Sequence, residues 1–180
     1  MKSAVICISG GIASGKTTLA SALADETKLP HASFGRFIRS AAGQRNLTED
    51  RGQLQQIGEH FIEELGWDLF CSRVLSAGGW SVGGGAIVEG IRHVAAFDTI
   101  TRLVSPVRSL LVFILATTEL REDRIRANRP KDLVNLAEAE IHSTERDVHE
   151  LLIDRADLVL DGRRDQRYLV QQVLNTIRLE

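Results

Sequence analysis

Excess charge is the first thing this chain lacks. Its 22 basic and 24 acidic residues leave a net charge of -2, so neither nucleic acid nor an anionic membrane surface is advertised as a partner. Cysteine is almost absent as well. Cys7 and Cys71 stand far apart in no metal-ligand spacing, and Cys7 lies inside an apolar run where a free thiol is simply buried. That usage fits a reducing, cytoplasmic compartment. No apolar run approaches the roughly 20 residues of a membrane span, and the amino terminus enters a glycine-rich loop too early for a secretory signal. Internal repeats, low-complexity tracts and linkers are missing; GGWSVGGG, residues 78–85, is the one flexible-looking loop. At 180 residues the chain is long enough for one sizeable core and too short for two.

What is present alternates between short apolar runs and longer stretches of helical period. Val5 to Ile8, Ala86 to Val88, Leu110 to Leu115 and Leu158 to Leu160 read as strands buried on both faces, as a parallel sheet covered by helices requires. The segments between them are long enough for crossover helices, which predicts a single three-layer α/β domain built from βαβ units. Thr118 precedes ELREDRIRA with Glu119 and Glu122 in the first turn, where carboxylates suit the positive end of a helix dipole. Leu133 to Leu152 reads as one long exposed helix or two shorter ones, and a docking helix runs from about Arg167 to Arg178.

The first strand runs directly into ISGGIASGKTTLA, Ile8 to Ala20, in which Gly10 is followed after four residues by Gly15, Lys16 and Thr17. This is the spacing of a phosphate-binding loop, and strand before and helix after are the context that makes it work. Backbone amides from Gly10, Gly11, Ile12, Ala13, Ser14 and Gly15 can turn inward on phosphate oxygens, with the helix start at Lys16, Thr17 and Thr18 adding its partial positive charge. Lys16 is placed to reach the outer phosphates of ATP, and the Thr17 hydroxyl to ligate magnesium. The Asn-Lys-x-Asp guanine motif of GTPases is absent, as is the signature of transport ATPases. The small-molecule kinases, proteins of about this length, remain.

Four further stretches carry a specific resemblance. HASFGRFIR, His31 to Arg39, resembles the adenylate kinase segment in which a short strand leads into a Thr-Gly-Asp turn and an acceptor-binding arginine. Gly35 and Arg39 match; Phe34 and Arg36 stand where that family has threonine and aspartate, so the acceptor pocket differs. AIVEGIR looks like Asp-Gly-Phe-Pro-Arg shortened by one residue, which gives Glu89 the water-mediated magnesium role and Arg92 the phosphates. In ELREDRIRANRP, Asp123, Arg124 and Ile125 match the adenylate kinase Asp-Arg-Ile, whose arginine lies over the ATP base. Asn128 occupies the place of the second, phosphate-contacting arginine, leaving Arg129 or Arg126 to supply it. RADLVLDG resembles the last strand of dephospho-coenzyme A kinases and nucleoside monophosphate kinases, whose following loop, here Asp161 and Gly162, cups the adenine. The chain is identified as similar to nucleoside monophosphate kinase-like proteins over nearly its whole length. That resemblance implies a five-stranded parallel sheet of order 2-3-1-4-5, acceptor-binding helices over about 34–80 and a lid-like segment over about 120–135.

The acceptor side is the least determined. RGQLQQIGEHFIEELGWDLF resembles phage deoxynucleoside monophosphate kinases and a group of archaeal nucleotide-kinase-like proteins, and ERDVHE resembles the archaeal group. Arg51, Gln55 and Glu59 recur every four residues and share a helix face. The expected acceptor set is Phe34, Gly35, Arg39, Arg51, Gln55 and Arg92; the expected catalytic set is Lys16, Arg92, Arg124 and Arg129. His93 lines the site in this reading, whereas His31, His60, His142 and His149 are surface or helix-face residues, and Trp67 and Trp80 serve packing or a hinge. The expected activity is transfer of the γ-phosphoryl of ATP, with Mg2+, to a nucleotide monophosphate or similar small molecule. Two alternatives stay open: a kinase for a hydroxyl acceptor such as dephospho-coenzyme A or a nucleoside, and a nucleotide-sensing module that regulates a protein partner. Hydroxyl acceptors need a carboxylate near the second strand to take a proton, and HASFGR supplies none.

Overall fold

The computed structural model describes residues 3–44, 51–128 and 151–178. Arg129, ERDVHE, His142, His149 and nearly all of the Leu133–Leu152 segment lie outside those residues, as does the Arg51 side chain. Half of the expected lid-like segment falls there too.

Five strands, β1 (Ala4–Gly10), β2 (His31–Ser33), β3 (Ala86–Ile91), β4 (Arg108–Leu115) and β5 (Leu158–Asp161), form a parallel sheet of order β2-β3-β1-β4-β5. All seven residues of the central strand β1 are buried, which is why AVICISG reads as a continuous apolar run. Alternate side chains go to opposite faces. Val5 and Cys7 pack with α2 (Phe34–Gln44), α3 (Arg51–Ala77) and α4 (Val94–Val104), while Ile6 and Ile8 pack with α1 (Lys16–Thr27) and α6 (Gln166–Arg178). Each such isoleucine or valine contributes about 1.5–3 kcal/mol by leaving water.

Local chemistry sets the element ends. The helix α5 (Thr118–Asn128) starts where the sequence indicates, but its capping hydroxyl is that of Thr117, which accepts from the Leu120 amide at 3.4 Å. Helix α3 is broken at Gly66 (φ 68, ψ 168), and along its length it packs against α2, β2 and α4. The GGWSVGGG loop is closed by hydrogen bonds, Trp80 Nε1 to the Gly84 carbonyl at 2.9 Å and the Gly84 amide to the Ser81 carbonyl at 2.9 Å. Trp80 also packs, partly buried, against the core, which is the packing expected of it. Among the described residues no helix is long and apolar enough to cross a membrane.

Candidate active site

The loop between β1 and α1 is shaped by backbone that few residues adopt. Gly10 has φ 137, and a Cβ there would lie 2.5 Å from the Ile114 carbonyl oxygen of β4, so only glycine lets the chain leave the sheet at this point. Ala13 takes the left-handed region at φ 58 without being glycine. The helix α1 opens with no side-chain cap, leaving its first amides for a ligand. Lys16 Nζ donates to the Gly10 and Gly11 carbonyls at 2.6 and 2.5 Å and so braces the loop from within. Ala13, Ser14, Gly15, Lys16, Thr17 and Thr18 line a cleft of about 460 Å³, joined from elsewhere by Arg124, Asn128, Arg164 and Gln166. Ile12 turns the other way: it is buried against Ile125 and lines a second cavity.

The carboxyl end of β3 carries the next pieces. Ile8 pairs with Glu89 but Ser9 pairs with Ile91, so Gly90 is an extra residue in the strand, at φ 87. Ser9 Oγ donates to the Ile91 carbonyl at 2.8 Å and fixes this bulge. It aims Glu89 toward Thr17 and Arg92 toward the second cavity. Glu89 is 6% exposed. Burial alone would raise its pKa, but side-chain hydrogen bonding with His31, Thr17 and Ser33 and the charge of His31 outweigh it, holding the carboxyl below its ordinary range. An ionised carboxylate beside the Thr17 hydroxyl is a donor set that fits magnesium, a hard cation that keeps several waters. Among the described residues no larger cluster of acidic, histidine or cysteine side chains suited to a metal exists. His31, expected at the surface, is instead a neighbour of this site: its side chain is 14% exposed and Nε2 stops 3.5 Å from Glu89 Oε1. The cause is strand pairing: β2 lies beside β3 and puts His31 and Ser33 on the face that Glu89 shares, which no local sequence signal shows.

The second cavity, about 210 Å³, gathers the acceptor residues expected from sequence: Phe34, Gly35, Arg39, Gln55 and Arg92 all line it. Glu59 and His93 join them, as their helix position and place in sequence suggested. Its walls are mostly apolar, and these were missed: Ile38, Leu54, Ile62, Trp67 and Phe70. Leu54, Gly58 and Ile62 form a second four-residue stripe beside Gln55 and Glu59, a pattern legible as the cavity side of the helix. Trp67 belongs to the site as well as to the packing, its ring lying 5.1 Å from that of His93. Arg39 lies along α2 over Gly35, with a guanidinium nitrogen 3.5 Å from where a Cβ would be, and makes no ion pair among the described residues.

Of the arginines in α5, Arg124 is the one that reaches the loop. It donates to the Ser14 carbonyl at 2.7 Å, the Ala13 carbonyl at 3.3 Å and the Gly162 carbonyl at 2.6 Å, tying the phosphate loop to the turn after β5. Arg126 points away, paired on the exposed helix face with Asp123 at 2.9 Å and Glu122 at 3.8 Å. Asp161 is gripped by Arg163, whose side-chain and backbone hydrogen bonds lower its pKa to about 2. The Gly162 amide donates to the Leu115 carbonyl at 2.7 Å. Asp161 and Gly162 thus shape the turn that borders the donor cleft, while Arg164 from the same turn lines it.

The comparisons with known proteins agree with this architecture. The chain resembles a sugar kinase structure from Janibacter sp. HTCC2649 at 19% identity, covering 97% of this chain and 94% of that one, with a TM-score of 0.58. It resembles the shikimate kinase of Aquifex aeolicus at 19% identity, with coverage of 96% and 95% and a TM-score of 0.58. The shikimate kinase of Bacteroides thetaiotaomicron gives 16% identity, 98% coverage of both chains and a TM-score of 0.60. Identities this low establish the fold alone. No curated protein matches the chain. A family described as an AAA domain matches residues 9–140, well over half of the chain and including the loop, β3 and α5. The chain therefore belongs to that AAA-domain family of phosphate-loop proteins, with the five-stranded parallel fold of the phosphate-loop kinases and of their nucleoside monophosphate kinase-like relatives.

Proposed function

We propose that the chain is a magnesium-dependent kinase that moves the γ-phosphoryl of ATP onto a small molecule already bearing a phosphate, of the (deoxy)nucleoside monophosphate class. The observation that carries this reading is the pair of cavities on either side of one loop: a polar cleft lined by Ala13 to Thr18, and across Ile12 an apolar cavity with Arg39 and Arg92 in its walls. The apolar wall suits the flat body of a base, and the two guanidinium groups suit its phosphate.

In this reading the loop amides and the start of α1 bind the donor phosphates, and Lys16 exchanges its loop carbonyls for phosphate oxygens. Thr17 and Glu89 would hold magnesium, which neutralises charge on the phosphates when bound. Arg39 and Arg92 orient the acceptor phosphate in line, and its oxygen, already anionic, needs no general base. Arg124 keeps the loop and the adenine side in register through its three carbonyl contacts. Positioning and charge stabilisation are most of what phosphoryl transfer requires.

A hydroxyl acceptor is the second reading. The sugar and shikimate kinases that share the fold favour it by name, and Glu59 is a carboxylate in the cavity wall. A panel of nucleoside monophosphates, nucleosides, sugars and shikimate, each incubated with ATP and magnesium, separates the two. The account expects ADP formation stimulated by a monophosphate and abolished by Lys16→Ala. Stimulation by a hydroxyl compound alone would transfer the assignment to the second reading, and ADP release without any phosphorylated product would remove both.

A further inference from the structure

Helix α2 has cavities on both sides. Phe34, Gly35, Ile38 and Arg39 line the acceptor cavity, whereas Arg36, Ser40 and Gln44, spaced every four residues, line another cleft of about 520 Å³ between α2, β2 and the second half of α3. Arg73 of α3 faces the same cleft, and the rings of Phe37 and Phe61, 5.6 Å apart, form an apolar floor. No carboxylate lines it among the described residues. Within it neither guanidinium is claimed by a carboxylate among the described residues: Arg73 makes no ion pair and Arg36 touches the His31 carbonyl at 3.5 Å. Of the two departures in HASFGRFIR, Phe34 lines the acceptor cavity, whereas Arg36, standing where adenylate kinases have aspartate, lines this cleft.

We propose that this cleft is an effector site for a small molecule carrying a phosphate group on an apolar body. Two guanidinium groups in one lining with the Ser40 hydroxyl and the Gln44 amide suit a phosphate, and the aromatic rings suit the rest. An occupant bears on the back of the helix that presents Arg39 to the acceptor, and on His31 and Ser33 beside Glu89, so its effect reaches the acceptor KM and the magnesium requirement. That consequence rests on the kinase reading; the site itself does not.

The test is therefore binding. The full chain carrying Arg39→Gln, with its loop filled by a non-hydrolysable ATP analogue and magnesium, is titrated calorimetrically with inorganic phosphate and, separately, with AMP. AMP is expected to bind, with affinity lost at least about tenfold when Arg36→Gln and Arg73→Gln are added. Phosphate is expected to bind more weakly, since it lacks the body that uses Phe37 and Phe61. Both arginines are exposed, so the variants should melt like the parent. In crystals, tungstate should mark a position between Arg36 and Arg73. Heats that the double substitution leaves unchanged, no heat at all, or tungstate confined to the loop and to Arg92 would overturn the proposal.

Discussion

At Ala13 the left-handed backbone, φ 58, costs about 1–2 kcal/mol for a residue with a Cβ. Glycine would relieve that strain while adding about 0.4–1 kcal/mol of freedom to the unfolded chain. Ala13→Gly should leave the unfolding free energy from urea titration within about 0.5 kcal/mol of the parent, whereas Ala13→Val, β-branched in the same conformation, should destabilise by about 2 kcal/mol. A clear loss of stability in Ala13→Gly would show that the loop stores no strain there. His31 and Glu89 make a second prediction. Because the Glu89 carboxyl is held below its ordinary range, it contributes stability that is present above the unfolded-state pKa and lost as pH falls through the lower folded value. His31→Ala removes part of what depresses it, so the acid limb of a pH-dependent melting profile should move toward higher pH. The same variant should lower kcat about tenfold and raise the magnesium requirement, leaving the acceptor KM nearly unchanged. An unmoved acid limb would mean that His31 does not act on Glu89.

At the scale of elements the bulge in β3 decides where two functional side chains go. Gly90 at φ 87 is the extra residue, and Gly90→Ala should cost about 1–2 kcal/mol. It should also lower kcat/KM for the acceptor more than for ATP, because Arg92 lies downstream of the bulge and the loop does not; equal losses would uncouple Arg92 from the bulge. Whereas the sheet order was implied by the family resemblance, the loop and the cavity stripe of Gln55 and Glu59 were legible in sequence because glycine spacing and helical period are local signals. The bulge was not, since Ser9 and Ile91 are brought together only by strand pairing. Neither was the proximity of His31 to Glu89, which depends on β2 lying beside β3. The seating of Arg126 was not legible either: its partners, Glu122 and Asp123, lie on its own helix and hold it on the exposed face.

Over the whole molecule, the two cysteines report on cooperativity. Both are fully buried; burial, with the neighbouring Cys71 next, pushes the Cys7 thiol far above its ordinary pKa, and burial with the Asp68 charge pushes Cys71 up to about 12. Thiols held protonated do not attack alkylating agents. Iodoacetamide at pH 8 should therefore label neither residue in the native protein and both together across the denaturation transition; early labelling of Cys71 alone would show that the second half of α3 opens by itself. The central claim concerns the two cavities acting as one site. Its most direct test is transfer of label from [γ-32P]ATP to a nucleoside monophosphate by the full chain, followed by separation of the products. The account predicts a labelled nucleoside diphosphate that Lys16→Ala eliminates and Arg39→Ala reduces mainly through the acceptor KM. Label appearing only as inorganic phosphate, at a rate indifferent to the acceptor, would contradict it.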